Sequence, residues 1–155
     1  MVDADCLTRH LIDPAAAYAL LGIHLLGVAD DTTTTMMDKA DLFGESSGVV
    51  HPGALVTLLE ATGAAALLAV CRSEAEASGL VRTLLSATVD FRLPARGRVT
   101  GICTLDDQVR EAVGRVAAGE CERARVATLT EVRDGTGMVV GGGTLRWNLQ
   151  RRTAS

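Results

Sequence analysis

Aromatic residues are scarce: one Trp, one Tyr and two Phe make up 3% of 155 residues. Such a core cannot be built on stacked rings, so Leu, Val and Ala must fill it and its elements must pack closely. Cysteine is sparse too, and Cys6, Cys71, Cys103 and Cys121 contain no Cys-x-x-Cys pair, while His10, His24 and His51 lie far apart. That spacing argues against a disulfide framework or a metal-ligand set, and the expectation is reduced thiols, no metal, no cofactor and a cytoplasmic location. Excess basic charge is also missing: 15 Lys and Arg against 19 Asp and Glu leave a net charge of -4. No global field attracts a phosphate backbone, so nucleic acid is not an expected partner. Residues 1–20 lack the basic start and apolar run of a secretory signal.

What is present describes one soluble globular domain across 1–155, with its core at about 20–150; 48% of residues are apolar and 22% charged. The stretch 53–71 is apolar enough to raise the question of a membrane span. Thr57 and Glu60 lie inside it, and a helix enclosed by protein accounts for it better.

Local signals give an element order. Pro14 opens an Ala-rich helical segment that ends near Gly22. Residues 23–37 read as a strand, a turn at Asp30 and Asp31, and a second extended piece. Gly44, Ser46, Ser47 and Gly48 form a loop ahead of a helix that starts at His51-Pro52-Gly53. This helix is apolar on nearly every side, and its alanines admit close neighbours, which suits a helix cradled by a curved sheet. Residues 85–93 alternate strictly, with Leu85, Ala87, Val89, Phe91 and Leu93 on one face. A turn at 94–97 leads to a strand at 98–105, and 121–132 and 138–149 form a hairpin around Asp134-Gly135-Thr136-Gly137. Asp106 or Asp107 caps a short helix carrying Val109, Val113 and Val116. The result is an α+β plan with antiparallel strands, without a dinucleotide crevice. Gly141-Gly142-Gly143 lies inside a strand, and the expectation there is close approach of the helix, or a bulge, rather than a phosphate loop.

Two stretches carry a family resemblance. The run 48–60 contains His51-Pro52-Gly53 and, nine residues after the His, Glu60. It resembles the signature of hotdog acyl-CoA thioesterases of the phenylacetate-degradation type, in which a His-Gly-Gly turn opens the central helix and an Asp or Glu follows at that spacing. The run 86–97, with Phe91, Pro94 and Gly97, is similar to the strand after the helix in the same family. The resemblance implies a hotdog fold, a curved antiparallel sheet wrapped around one long central helix. It also implies hydrolysis of an acyl thioester, carried on coenzyme A or a carrier protein, by a homodimer or homotetramer with its pocket between subunits.

Glu60 is the leading catalytic candidate on chemical grounds as well. It is the only charge between His51 and Arg72. In an apolar helix a carboxylate must be neutralised, paired or given a wet cavity. It can attack a thioester carbonyl or deprotonate water, while helix N-terminal amides hold the oxyanion. The alternative is a structural ion pair with Arg82 or Arg92. His51 either positions substrate or caps the helix. Pro52 departs from the family's glycine and has no N–H to offer an oxyanion, which leaves Gly53 or Ala54 as donors. The resemblance implies that Glu45, where such enzymes often place an amide side chain ahead of the turn, faces the same pocket as Glu60; the alternative is a solvated loop residue. Where some members carry an assisting hydroxyl one turn after the acid, this chain has Ala64. Arg92, Arg96 and Arg98 flank the Pro94 turn and suit the phosphates of a coenzyme A arm. Two other functions remain open: binding of an acyl or polyketide-like ligand without hydrolysis, and hydration or dehydration of an enoyl thioester.

Overall fold

A computed structural model describes residues 2–38 and 48–152. Asp3 caps the first helix, α1 (Ala4–Leu7), by accepting the Cys6 amide at 2.8 Å, and the chain continues through a π turn at Thr8–Ile12. The next helix, α2 (Ala16–Leu21), stops at Gly22, whose φ of 64° is the left-handed geometry a glycine C-cap adopts without strain. Strands β1 (Ile23–Ala29) and β2 (Thr32–Met37) follow, joined by a turn in which Asp30 takes φ 51°. The β1 register slips between Leu25 and Gly27, so the glycine marks a bulge rather than the end of the strand.

The central helix α3 (Pro52–Ala69) begins with proline in its first turn, where the missing N–H is not needed. Its 18 residues have a mean hydropathy of 1.5, yet they are largely buried, so the sheet takes the place a bilayer would occupy. A short helix α4 (Glu74–Gly79) leads into β3 (Leu80–Phe91). After it come β4 (Val99–Thr104), α5 (Asp107–Ala117), β5 (Arg123–Arg133) and β6 (Val139–Arg151). The six strands form one antiparallel sheet in the order β1-β2-β4-β5-β6-β3.

The helix lies on the concave face, chiefly against β2, β4 and β5. Leu58, Leu59, Leu67 and Leu68 are almost wholly buried with Trp147, Leu145, Leu149 and Met37. Each such leucine contributes roughly 1.5–3 kcal/mol. Small residues set the depth of this seat: a Cβ on Gly63 would stand 2.7 Å from Thr128 Oγ1 and 3.2 Å from the Trp147 ring. The glycine triplet behaves differently from the expectation of helix approach. Cβ atoms on Gly141, Gly142 and Gly143 would meet the carbonyl oxygens of Asp90, Thr130 and Thr88 at 2.7, 2.9 and 2.9 Å. Flanking strands, not the helix, occupy that space.

Asp106 caps α5 by accepting the Val109 amide at 2.8 Å, and Val113 and Val116 are buried as the pattern requires. Strand β3 starts five residues earlier than the alternating run predicts, and its register shifts between Leu84 and Ser86. Beyond that shift Ala87 and Phe91 stand exposed.

Candidate functional site

Glu60 sits on α3, on the side facing α2 and β3, and is partly buried. Two side chains from distant segments converge on it. Tyr18, from α2, is only 7% exposed, and its hydroxyl donates a hydrogen bond to Glu60 Oε2. Arg82, from β3, lines the same cavity, and its Nη1 donates to the Leu80 carbonyl at 3.1 Å. The cavity has a volume of about 260 Å³, with Trp147 and Ala64 also in its wall and His10, Leu11 and Pro14 from the N-terminal segment. Trp147 is held by its own bond, Nε1 donating to Thr128 Oγ1 at 2.9 Å.

The electrostatics follow from this packing. Burial pushes the Glu60 carboxyl above the ordinary glutamate value, while the Tyr18 hydrogen bond and the Arg82 charge act in the opposite direction. The Tyr18 phenol is driven upward by burial and by its bond to Glu60, and it stays a neutral donor. Glu60 makes no ion pair within 4 Å among the described residues; Arg82 acts through its field. The arrangement is a carboxylate with one oxygen held by a hydroxyl, in a pocket, able to accept a proton or attack a carbonyl.

The start of α3 faces a separate apolar cleft of about 430 Å³, lined by Ala17, Leu20 and Leu21 with His51, Gly53, Ala54 and Thr57. His51 is a helix cap here: its Nδ1 accepts the Gly53 amide at 3.0 Å, and its carbonyl accepts the Ala54 amide at 2.9 Å. Proline supplies no amide, so each of the first three residues of α3 lacks a free donor in this geometry. Gly53 and Glu60 are separated by seven positions (60 − 53), which is roughly 10 Å along a helix axis. Within one chain Glu60 is therefore assembled with Tyr18 and Arg82, not with His51, Gly53 and Ala54.

The three arginines also diverge. Arg92 lies on the outer sheet surface with Asp90, Glu131 and Arg133. Arg98 pairs with Asp38 at 3.3 Å, and Arg96 bridges to Val49, its guanidinium beside Gly48. Glu45 lies outside the described residues.

Two groupings were not legible from spacing. Tyr18 joins Glu60 across 42 residues of sequence, and the one available signal was that it is the sole tyrosine of the chain; Arg82, considered as a partner from the sequence, lines the same cavity without an ion pair to Glu60 within 4 Å. Cys6, His10 and Glu74 bring ligand-type atoms within 4.8 Å of one another. There Glu74 Oε1 already takes His10 Nε2 at 3.1 Å and Arg9 Nη2 at 3.3 Å, so a guanidinium competes for the position.

Comparison with known proteins gives a consistent picture. The thioesterase superfamily profile matches residues 47–110. No curated protein matches the chain. Among solved structures, a probable thioesterase from Pseudomonas aeruginosa is similar at TM-score 0.77 and 20% identity, with 97% of each chain covered. A mutant thioesterase from the same organism gives TM-score 0.73 and 18% identity over 98% of this chain and 96% of that one. A thioesterase from Haemophilus influenzae gives 0.70 and 16% over 97% and 92%. A six-stranded antiparallel sheet around one long buried helix, shared with these structures over nearly their whole length, makes this chain a hotdog-fold protein whose segment 47–110 matches the thioesterase superfamily.

Proposed function

We propose that the protein hydrolyses an acyl thioester to a free acid and a thiol, with Glu60 as general base or nucleophile, in the manner of the phenylacetate-degradation branch. The observation that carries this reading is the Glu60 carboxylate itself: a charged group on an apolar helix, set in a cavity and held by Tyr18. As a base, Glu60 takes a proton from water, the hydroxide adds to the thioester carbonyl, and collapse of the adduct expels the thiolate. The oxyanion needs a donor, and the separation of Gly53 from Glu60 along one helix favours a site shared between two copies.

Strand β3 supports that assembly. It is a 12-residue edge strand, and Leu84, Leu85 and Phe91 on it are exposed. An open apolar edge of this length favours pairing with a second copy. A homodimer joined along β3, or two such dimers in a tetramer, brings the α3 start of one copy toward the pocket of the other. Coenzyme A, with its phosphates on Arg96 or Arg92, is the proposed carrier, and the cytoplasm the proposed compartment.

A second reading has one specific observation behind it. With Pro52 lacking an N–H and the Gly53 and Ala54 amides bound to His51, oxyanion stabilisation is poor. Such a site suits binding of an acyl ligand without turnover. Release of free thiol from short, long and aromatic acyl-CoAs, by the wild type beside Glu60→Gln, separates the two. Turnover that vanishes with Glu60 supports hydrolysis. Ligand-dependent stabilisation without turnover supports the binding protein.

A further inference from the structure

We infer that Tyr18 is a positioning residue for Glu60: its buried hydroxyl, donated to Oε2, favours the anionic form of the carboxyl and holds it in one orientation, leaving Oε1 for the reaction. The inference rests on the hydrolytic reading of Glu60 and extends the catalytic machinery into the N-terminal helical segment, which the 47–110 match does not include.

The geometry is specific to a hydroxyl. Tyr18 reaches Glu60 across 42 residues of sequence, and its ring is almost fully enclosed between α2 and α3. A phenylalanine fills the same space, so packing alone does not require the oxygen. A buried phenol without an acceptor carries a desolvation cost, and so does a half-buried carboxylate without a donor; each group here relieves the other. The ionisable groups facing Glu60 are Tyr18 from α2, Arg82 from β3 and His10 from the π turn. Of these, only Tyr18 touches the carboxylate through a hydrogen bond. Hydrogen bonding to the charged form favours that form, and burial opposes it, so removing the hydroxyl lets burial dominate.

The test is Tyr18→Phe, read by the pH profile of kcat/KM on an acyl-CoA and, independently of turnover, by carbon-13 NMR titration of the glutamate carboxyls, with Glu60 assigned from Glu60→Gln. The expected result is an acid limb and a Glu60 titration both moved to higher pH, with kcat lowered about tenfold or more. An unchanged profile and titration in Tyr18→Phe overturn the inference. Because Tyr18 is the only tyrosine, growth on 3-fluorotyrosine alters this one phenol without changing its shape. The more acidic phenol is a stronger donor, and the Glu60 titration should move to lower pH; no movement overturns the inference even where Tyr18→Phe fails to fold. If the wild type has no turnover, the hydrolytic reading falls by itself. The titration then decides alone: a shift supports Tyr18 as the group that sets the charge of Glu60, and none overturns it.

Discussion

His51 Nδ1 accepts the amide of Gly53 at 3.0 Å, so the residue that opens the central helix also occupies the donor closest to its N-terminus. With Pro52 between them, the turn has no amide to spare. Pro52→Gly restores one. An oxyanion donor is worth roughly 10²- to 10³-fold in rate, and a rise in kcat of about tenfold or more is expected. The more flexible glycine costs about 0.5–1 kcal/mol of stability by urea denaturation. An unchanged kcat would mean that the oxyanion forms away from this turn.

Glu60→Gln keeps the shape of the side chain and its capacity to accept from Tyr18, but it removes the base. Thiol release should fall by about 10²- to 10⁴-fold with circular dichroism and oligomeric state unchanged. Substantial residual turnover in a folded variant removes Glu60 from the mechanism.

Burial holds the Glu60 carboxyl above its usual range, so the native state keeps this proton more tightly than the unfolded chain does. Stability therefore falls as pH rises from the ordinary carboxyl value through the raised one, and the loss is complete above it. Glu60→Gln has no proton to lose. Denaturation of both proteins from about pH 4 to 8 should show the variant gaining on the wild type across that window; parallel curves would show that the carboxyl is not raised.

The exposed side chains of β3 bear on assembly. Leu85→Asp with Phe91→Asp places charge along the open edge, where Leu85 is 51% and Phe91 50% exposed. Analytical ultracentrifugation should show a smaller species than the wild type, with thiol release lost although Glu60 is intact. An unchanged mass moves the interface elsewhere.

Two glycines should respond with opposite signs. A Cβ on Gly114, within α5, meets nothing within 4 Å, and Gly114→Ala should stabilise by about 0.5–1 kcal/mol through helix propensity alone. A Cβ on Gly141 stands 2.7 Å from the Asp90 carbonyl oxygen. Gly141→Ala must push β6 from β3, at a cost of about 1–3 kcal/mol in urea denaturation.

The elements that sequence conveyed are those whose signals are local. Strict alternation marked the exposed β3, an aspartate three residues ahead of Val109 marked the α5 cap, and an unbroken apolar run marked α3. Helix α4 was overlooked although Ser73 and Glu76 stand at capping spacing; Ser73 Oγ accepts the Glu76 amide at 3.2 Å, and Glu76 Oε2 accepts the Arg72 amide at 2.7 Å. The helical turns at residues 4–12 were overlooked for a different reason. Their π turn breaks the 3.6-residue period, and their apolar residues Leu7, Leu11 and Ile12 become a face only against the rest of the core.

By itself the sequence determined that an acid would ride on an apolar helix opened by His51-Pro52-Gly53, because residue spacing along a helix is a property of the chain alone. It likewise determined the β5–β6 hairpin, because that connection is short; β3 and β4, although joined by the short 94–97 turn, do not pair, and β3 lies beside β6 instead. Only the tertiary structure decided which groups surround that acid. Tyr18 and Arg82 reach Glu60 because α2 and β3 pack on the same side of α3, and His51 turns onto its own helix because Gly53 offers an amide there. Burial and hydrogen bonding between distant segments set the charge of Glu60, and those depend on how the sheet closes around the helix, which no local pattern encodes.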